Sequence, residues 1–305
     1  PLTLTSSGNN SINFSITGLL VSFSSLHNWF GVDNITFTVS DGIDQSSDTV
    51  CINVQLNITT GVIVDSDNLP ATWTIDNSPF NITEPIVIDS TQNVTFEPGI
   101  VIQVWNDEPI SILGSLSAND VTFAPGFPDL FWGGLAITGT AGTRTESNII
   151  NCEILNAINP ITIINSNPII NTVYIAPIDT TALINGTGIT VIGVSSPAID
   201  NVTILSYKTG IQVIRGEENL QTEPIIHQIT LRNSSVSQRQ EENNTKGIVI
   251  AGKSNIIITE VDIKDYDTAI KIENTNPLQS ANPSLSHIRI RNTSSTLRNG
   301  DKCGI

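Results

Sequence analysis

From about residue 80 the chain repeats one short pattern of apolar pairs. Counting from Asn151, apolar residues fall at +1 and +3 (Cys152, Ile154) and again at +10 and +12 (Ile161, Ile163). The same frame from Thr172 gives Val173, Ile175, Ala182 and Ile184, and from Asn201 it gives Val202, Ile204, Ile211 and Val213. From Glu260 it gives Val261, Ile263, Ile270 and Ile272. Two more copies carry an insertion. Gln228 leads Ile229 and Leu231, then Ile248 and Ile250; His287 leads Ile288 and Ile290, then Ile305. The frame advances by 21, 29, 27, 32 and 27 residues. Spacing of two within a pair puts both side chains on one face of a strand. A 20–30-residue unit of short strands cannot bury such a face alone, so units must stack into a solenoid. The uneven step favours a parallel β-helix, whose corners tolerate loops of variable length. Residues 80–305 leave room for roughly nine coils, on the order of 40 Å of rod at the strand spacing. The inserts near 232–246 and 292–303 are expected to leave the column at a corner. A turn or small residue stands at +9 in the uninserted copies: Pro160, Thr181, Gly210 and Ala269.

Residues 1–57 differ in style. They hold a few longer strands, at 11–16, 19–23, 34–39 and 49–56, with Asp41-Gly42 as the turn between the last two. Four strands are too few for a closed sandwich. This domain is therefore expected to be cut at its start or completed by a strand from elsewhere. The organisation that follows is 1–60 as a partial β-sandwich, 61–79 as linker or cap, and 80–305 as the β-helix, an all-β chain throughout.

Charge and composition exclude several functions. The chain has 13 Lys and Arg against 29 Asp and Glu, a net charge of -16. A nucleic-acid partner needs clustered cations, so none is expected. No apolar run approaches the length of a membrane-spanning helix. Residues 1–150 carry 15 acids and one base, Arg144; residues 151–305 carry 14 acids and 12 bases. That asymmetry favours divalent cations at one end and head-to-tail contacts between copies. The chain contains no methionine, which points to Pro1 not being the translation start. Cys51, Cys152 and Cys303 have no metal or disulfide spacing, and Cys51 and Cys152 are expected as buried small hydrophobes. Asn-x-Ser/Thr occurs at Asn9, Asn13, Asn34, Asn57, Asn81, Asn93, Asn185, Asn201, Asn233, Asn243 and Asn292. These are candidate glycosylation sites, and their number suits a secreted or surface protein.

Two resemblances add to this reading. The segment 28–42, Asn-Trp-Phe-Gly-Val-Asp-Asn-Ile-Thr-Phe-Thr-Val-Ser-Asp-Gly, resembles the C-terminal half of cadherin-like, immunoglobulin-like tandem domains of microbial surface proteins. The stretch from Trp73 to Ile137 resembles the entry coils of right-handed parallel β-helix surface proteins. Its carriers are Phe80-Asn-Ile82, the Phe-Glu-Pro-Gly turn ending at Gly99, Ile110 to Leu116, and Trp132-Gly-Gly-Leu-Ala-Ile137. The Asn- and Ile-rich, sequon-bearing style is similar to that of archaeal surface-layer and hook-filament subunits. These resemblances imply an extracellular location and a structural role, not one activity.

Candidate chemistry is sparse. An inverting pectin hydrolase needs paired Asp residues and a Gly-His-Gly, and neither occurs. Asp262, Asp265 and Asp267, with Lys264 and Lys271, come closest to a calcium-dependent lyase centre. A solvated loop is the plainer reading. His227 and His287 occupy nearly matching repeat positions rather than a dyad. Asp65, Asp67 and Asn68 form a short acidic joint able to hold calcium, or else a simple Asx turn. Asp33, Asp41, Asp44 and Asp48 add acidic oxygens without a metal spacing. Trp73 and Trp132 read as core or cap, whereas Trp29 and Trp105 are open to sugar stacking. The expected function is that of a non-enzymatic structural subunit of a cell-surface layer or filament, with adhesion as a further role, assembling by strand addition. Its partners are then copies of itself, other surface proteins or glycans, with no cofactor required beyond an optional calcium. A polysaccharide lyase, hydrolase or depolymerase and a glycan-binding adhesin are the alternatives.

Overall fold

The structure is a computed structural model and describes residues 2–8, 11–17, 20–25, 31–54, 58, 60–67, 69–139, 147–215, 223–233, 244–252, 255–273 and 283–291. The chain divides into Pro1–Thr59 and Thr60–Ile305.

The first unit is antiparallel. Its strands are β1 (Thr3–Ser7), β2 (Ile12–Thr17), β3 (Leu20–Ser25), β4 (Gly31–Ser40) and β5 (Gln45–Val54). β1, β4 and β5 form one sheet in that order, and β2 and β3 form a separate hairpin. Asp41 accepts from the backbone N–H of Ile43 (2.8 Å) and Asp44 (2.9 Å), which closes the expected turn between β4 and β5. Phe37 of β4 meets Phe14 and Phe23 of the hairpin edge-to-face, at 5.6 and 6.1 Å. Asp33 is buried, and its carboxylate takes the N–H groups of Ser11 and Ile12. The strand β1 escaped the sequence reading because Thr-Leu-Thr-Ser-Ser alternates too weakly to stand out.

The second unit is built from parallel strands. Among the described residues they make one sheet of fourteen strands and one of eight. The chain visits the two in alternation, so each passage lays one coil on the last, a β-helix-like stack. One inward row of the large sheet runs Val62, Phe80, Ile102, Phe123, Ile154, Ile175, Ile204, Leu231, Ile263 and Ile290 in unbroken register. The facing sheet supplies Ile110, Leu135, Ile161, Ile189, Ile211, Ile248 and Ile270 in one row. Most of these side chains are removed from water entirely, each contributing about 1.5–3 kcal/mol of hydrophobic burial. An aromatic stack fills the first coils: Trp73 lies 4.6 Å from Phe80 and 4.7 Å from Phe96, Phe96 lies 6.0 Å from Phe123, and Phe123 lies 6.4 Å from Trp132. The segment 61–79 belongs to this stack: Val62–Val64 pairs with Phe80–Ile82, and Thr72–Trp73 pairs with Thr95–Phe96.

The repeat frame has a backbone cause. Asn151, Thr172, Asn201, Gln228, Glu260 and His287, the residues that open each frame, all have φ between 51° and 56°. Asp120 and Gly99 occupy the same place in the two preceding coils. Eight successive coils thus turn one corner through a left-handed residue, seven of them without glycine. A second corner falls at +5, where Asn156, Ser206, Asn233 and Asp265 are all buried.

One frame was misread. Ile161 and Ile163 pair with Ile189 and Val191, not with Ala182 and Ile184. Seven extra residues, including a turn closed by Asp179 on the N–H of Thr181, precede the true strand. The small residue at +9 in that coil is therefore Gly188 rather than Thr181. A Cβ on Gly188 would stand 2.7 Å from the Gly210 carbonyl oxygen, and one on Gly210 would stand 2.6 Å from that of Gly247. Successive coils approach too closely there for larger side chains.

Two outcomes test this account. Phe123→Ala should cost about 3–5 kcal/mol, read as a lower urea midpoint for the second unit. Thr172→Asn should raise that midpoint through a gain of about 1 kcal/mol in stability, because a β-branched residue is strained at positive φ and Asn is less so.

Candidate functional site

The bend opened by the left-handed residues carries a polar ladder on its outer side. The residues just before the bend stack as Asn171, Asp200, His227, Thr259 and Ser286, one per coil. His227 Nδ1 lies 2.7 Å from Asp200 Oδ1, and its Nε2 lies 3.6 Å from Glu260 Oε2. Asn171 donates to Asp200 (3.2 Å), Gln228 donates to Glu260 (3.2 Å), Asn151 donates to Asn119 (3.0 Å), and Asn201 donates to Thr172 (3.1 Å). Each rung ties one coil to its neighbour. The carboxylate of Asp200 holds the His227 pKa above its ordinary value, with Glu260 adding to the effect. Two carboxylates from the neighbouring coils thus bracket one imidazole and tie three coils together. His287 stands one position later, on the bend itself, so it does not match His227 in register.

The proposed lyase cluster does not converge. Asp262 pairs with Arg291 across one coil. Asp265 sits at the buried +5 corner with Lys264 3.7 Å away. Asp267 is exposed and accepts from the Thr245 N–H (2.7 Å) and hydroxyl (2.8 Å). Lys271 is taken by Glu273 at 2.5 Å. The sequence places Asp265 and Asp267 on one face only if the segment is straight, and the left-handed Asp265 (φ 63°) breaks it.

The calcium candidates divide. Asp65 Oδ1 accepts from the Asp67 N–H at 2.9 Å, an Asx turn, and Asn68 lies outside the described residues. Among the described residues no group of three or more His, Cys, Asp or Glu is placed to share a metal ion.

The sequons also divide. Asn13, Asn34, Asn93, Asn185 and Asn201 are exposed. Asn81 is wholly buried, with its amide donating to the Thr60 carbonyl and accepting from the indole of Trp105. Asn233 is buried at the +5 corner. The fold therefore withholds these two side chains from a modifying enzyme. Asn9, Asn57, Asn243 and Asn292 lie outside the described residues, as do Trp29, Cys303 and Ile305.

Trp73 and Trp132 are buried as expected. Trp105 is half-buried, with Gly126 against its ring and Phe127 at 4.8 Å, which leaves it poorly placed to stack on a sugar. Cys152 is buried, and burial pushes its thiol up to about 11. Cys51 is a correction: it is exposed on the outward face of β5, opposite Asn34.

The first unit presents a different surface. Among the described residues β5 is an edge strand, and seven of its ten residues, Gln45 to Cys51, are exposed on both faces. On the side toward the hairpin, Val39, Val50 and Phe23 remain 38 to 43 % exposed. The aromatic contacts of the hairpin centre on Phe37, and these flanking apolar positions stay open to water. No sequence signal marks this, since an edge strand and a central strand can share one alternation.

Comparisons with protein-family models, curated proteins and solved structures gave no match.

His227 is expected to titrate above 6.5 by NMR, and to move back toward 6.5 in Asp200→Asn. Protonated His227 then stabilises the folded chain fully below pH 6.5, and that contribution is lost as pH rises through the raised folded-state value. A His227→Gln variant should lack this part of the pH dependence.

Proposed function

We propose that this chain is an extracellular structural protein, a subunit of a cell-surface layer or filament. In this reading the second unit is a right-handed parallel β-helix, the hand that parallel crossovers take almost without exception, and the first is part of an immunoglobulin-like sandwich. The observation that carries the proposal is the edge of β5, a ten-residue strand open among the described residues, with Val50 of β5, Val39 of β4 and Phe23 of β3 part-exposed near it. Soluble proteins ordinarily blunt such an edge with charge, proline or a covering loop. Here the edge carries one charge, Asp48, and no proline. Strand addition would satisfy its unpaired backbone groups and cover Val50 in one step. A stacked column suits load-bearing, because its stability resides inside and its outer face is free to vary. The exposed sequons at Asn13, Asn34, Asn93, Asn185 and Asn201 suit a surface location. The ladder at His227 supports stiffness rather than catalysis, which sets the polysaccharide-degrading alternative behind the scaffold.

Negative-stain microscopy of native material should reveal filaments or sheets. In purified protein, Val50→Lys should abolish assembly while leaving the thermal transition of the second unit unchanged. A wild-type chain that stays a monodisperse monomer at high concentration would remove the reading.

A further inference from the structure

A second ladder runs beside the first, and it is cationic. Leu205, Arg232, Lys264 and Arg291 occupy one outward register over four successive coils. Arg289 stands two residues before Arg291, in the row of Asp262. At the spacing of stacked strands the cations lie about 4.8 Å apart per coil. Like charges directly opposite one another destabilise a sheet. Two carboxylates partly offset these four cations: Asp262 pairs with Arg291, and buried Asp265 sits near Lys264. Arg232 and Arg289 have no carboxylate partner among the described residues. In a chain of 13 bases and 29 acids, stacking cations this closely is costly unless an anionic partner meets them.

The same chain carries a matching surface. The turn between β4 and β5 presents Ile43 at 92 % exposure. Asp41 closes that turn through two backbone hydrogen bonds, and Asp44 is exposed beside it. Those hydrogen bonds lower the Asp41 pKa, which favours its charged form. The tip is thus an isoleucine flanked by carboxylates. The ladder is a half-buried leucine, Leu205, followed by cations. Apolar meets apolar and charge meets opposite charge, with the anionic tip in the acidic half of the sequence and the ladder in the half that holds 12 of the 13 bases.

We infer that the cation ladder at Arg232, Lys264, Arg289 and Arg291 is the docking site for the Asp41–Asp44 turn of a second copy of this chain. The contact joins two different surfaces of the chain, so each copy carries both a donor turn and an acceptor ladder. This inference rests on the scaffold reading and adds to it a specific acceptor surface.

A charge-swap experiment on the full chain tests it, with sedimentation velocity as readout. The wild type should self-associate, and association should weaken by about tenfold or more as salt is raised through the screening range. Arg232→Glu with Arg289→Glu, and separately Asp44→Lys, should each lose association while keeping the wild-type circular dichroism and melting temperature. Mixing the two variants should restore it. Association of the wild type that survives in both charge variants but is lost in Val50→Lys overturns the ladder contact and leaves the scaffold standing. No association of any form overturns both. Retention of an acidic polysaccharide by the wild type, lost with Arg232→Glu and Arg289→Glu in the absence of self-association, also overturns it, in favour of a glycan site.

Discussion

Parallel pairing in exact register, coil upon coil, is the constraint from which the rest of the second unit follows. A parallel strand places each residue over its counterpart one coil below, so every position along the coil becomes a column. Isoleucine columns give a dry interior, as in the run from Ile154 through Ile175 and Ile204 to Ile263. β-Branched side chains pack well on a pleated surface, and stacking like on like leaves few gaps. The aromatic entry coils around Trp73, Phe96, Phe123 and Trp132 solve the same problem with fewer, larger groups.

Columns also explain where polar residues go. At the first corner the chain must bend within one residue, and a left-handed backbone conformation accomplishes this. Residues such as Thr172 and Glu260 bear the strain of that conformation, and their neighbours recover part of it through side-chain bonds between coils. Thr172 accepts from Asn201, and Glu260 accepts from Gln228. The second corner folds inward, which is why Asp265 and Asn233 are buried although both belong to polar sequence. At +9 the carbonyl of the next coil occupies the space of a side chain, and glycine follows at 188, 210 and 247.

The two units differ in how their strands are paired. The column pairs its strands in parallel, coil on coil, and presents side-chain ladders of fixed spacing, whereas the first unit is antiparallel and, among the described residues, leaves the long edge of β5 open. In the proposed scaffold the first would supply stiffness and the second a site for strand addition. The proposed contact between acidic turn and cationic ladder would then favour ordered association over random pairing.

Much of this was legible in the order of residues. The period-two pairs, their recurrence and the inward set Cys152, Ile154, Ile161, Ile163, Val202, Ile204, Ile211 and Val213 needed nothing beyond alternation and burial. The Asp41-Gly42 turn was equally local. What a linear reading could not supply was register, because an insert of seven residues before Ile189 shifts a strand without disturbing its pattern. Nor could it separate Asp265 from Asp267, since the face a side chain takes depends on a corner that only the stack imposes. Exposure of Cys51, burial of Asn81 and the cation column at Arg232, Lys264 and Arg291 were likewise decided in three dimensions. Sequence determined that the chain must bury repeated apolar faces by stacking. Tertiary structure decided which residues meet across coils, because neighbours in a solenoid lie about a whole coil apart along the chain.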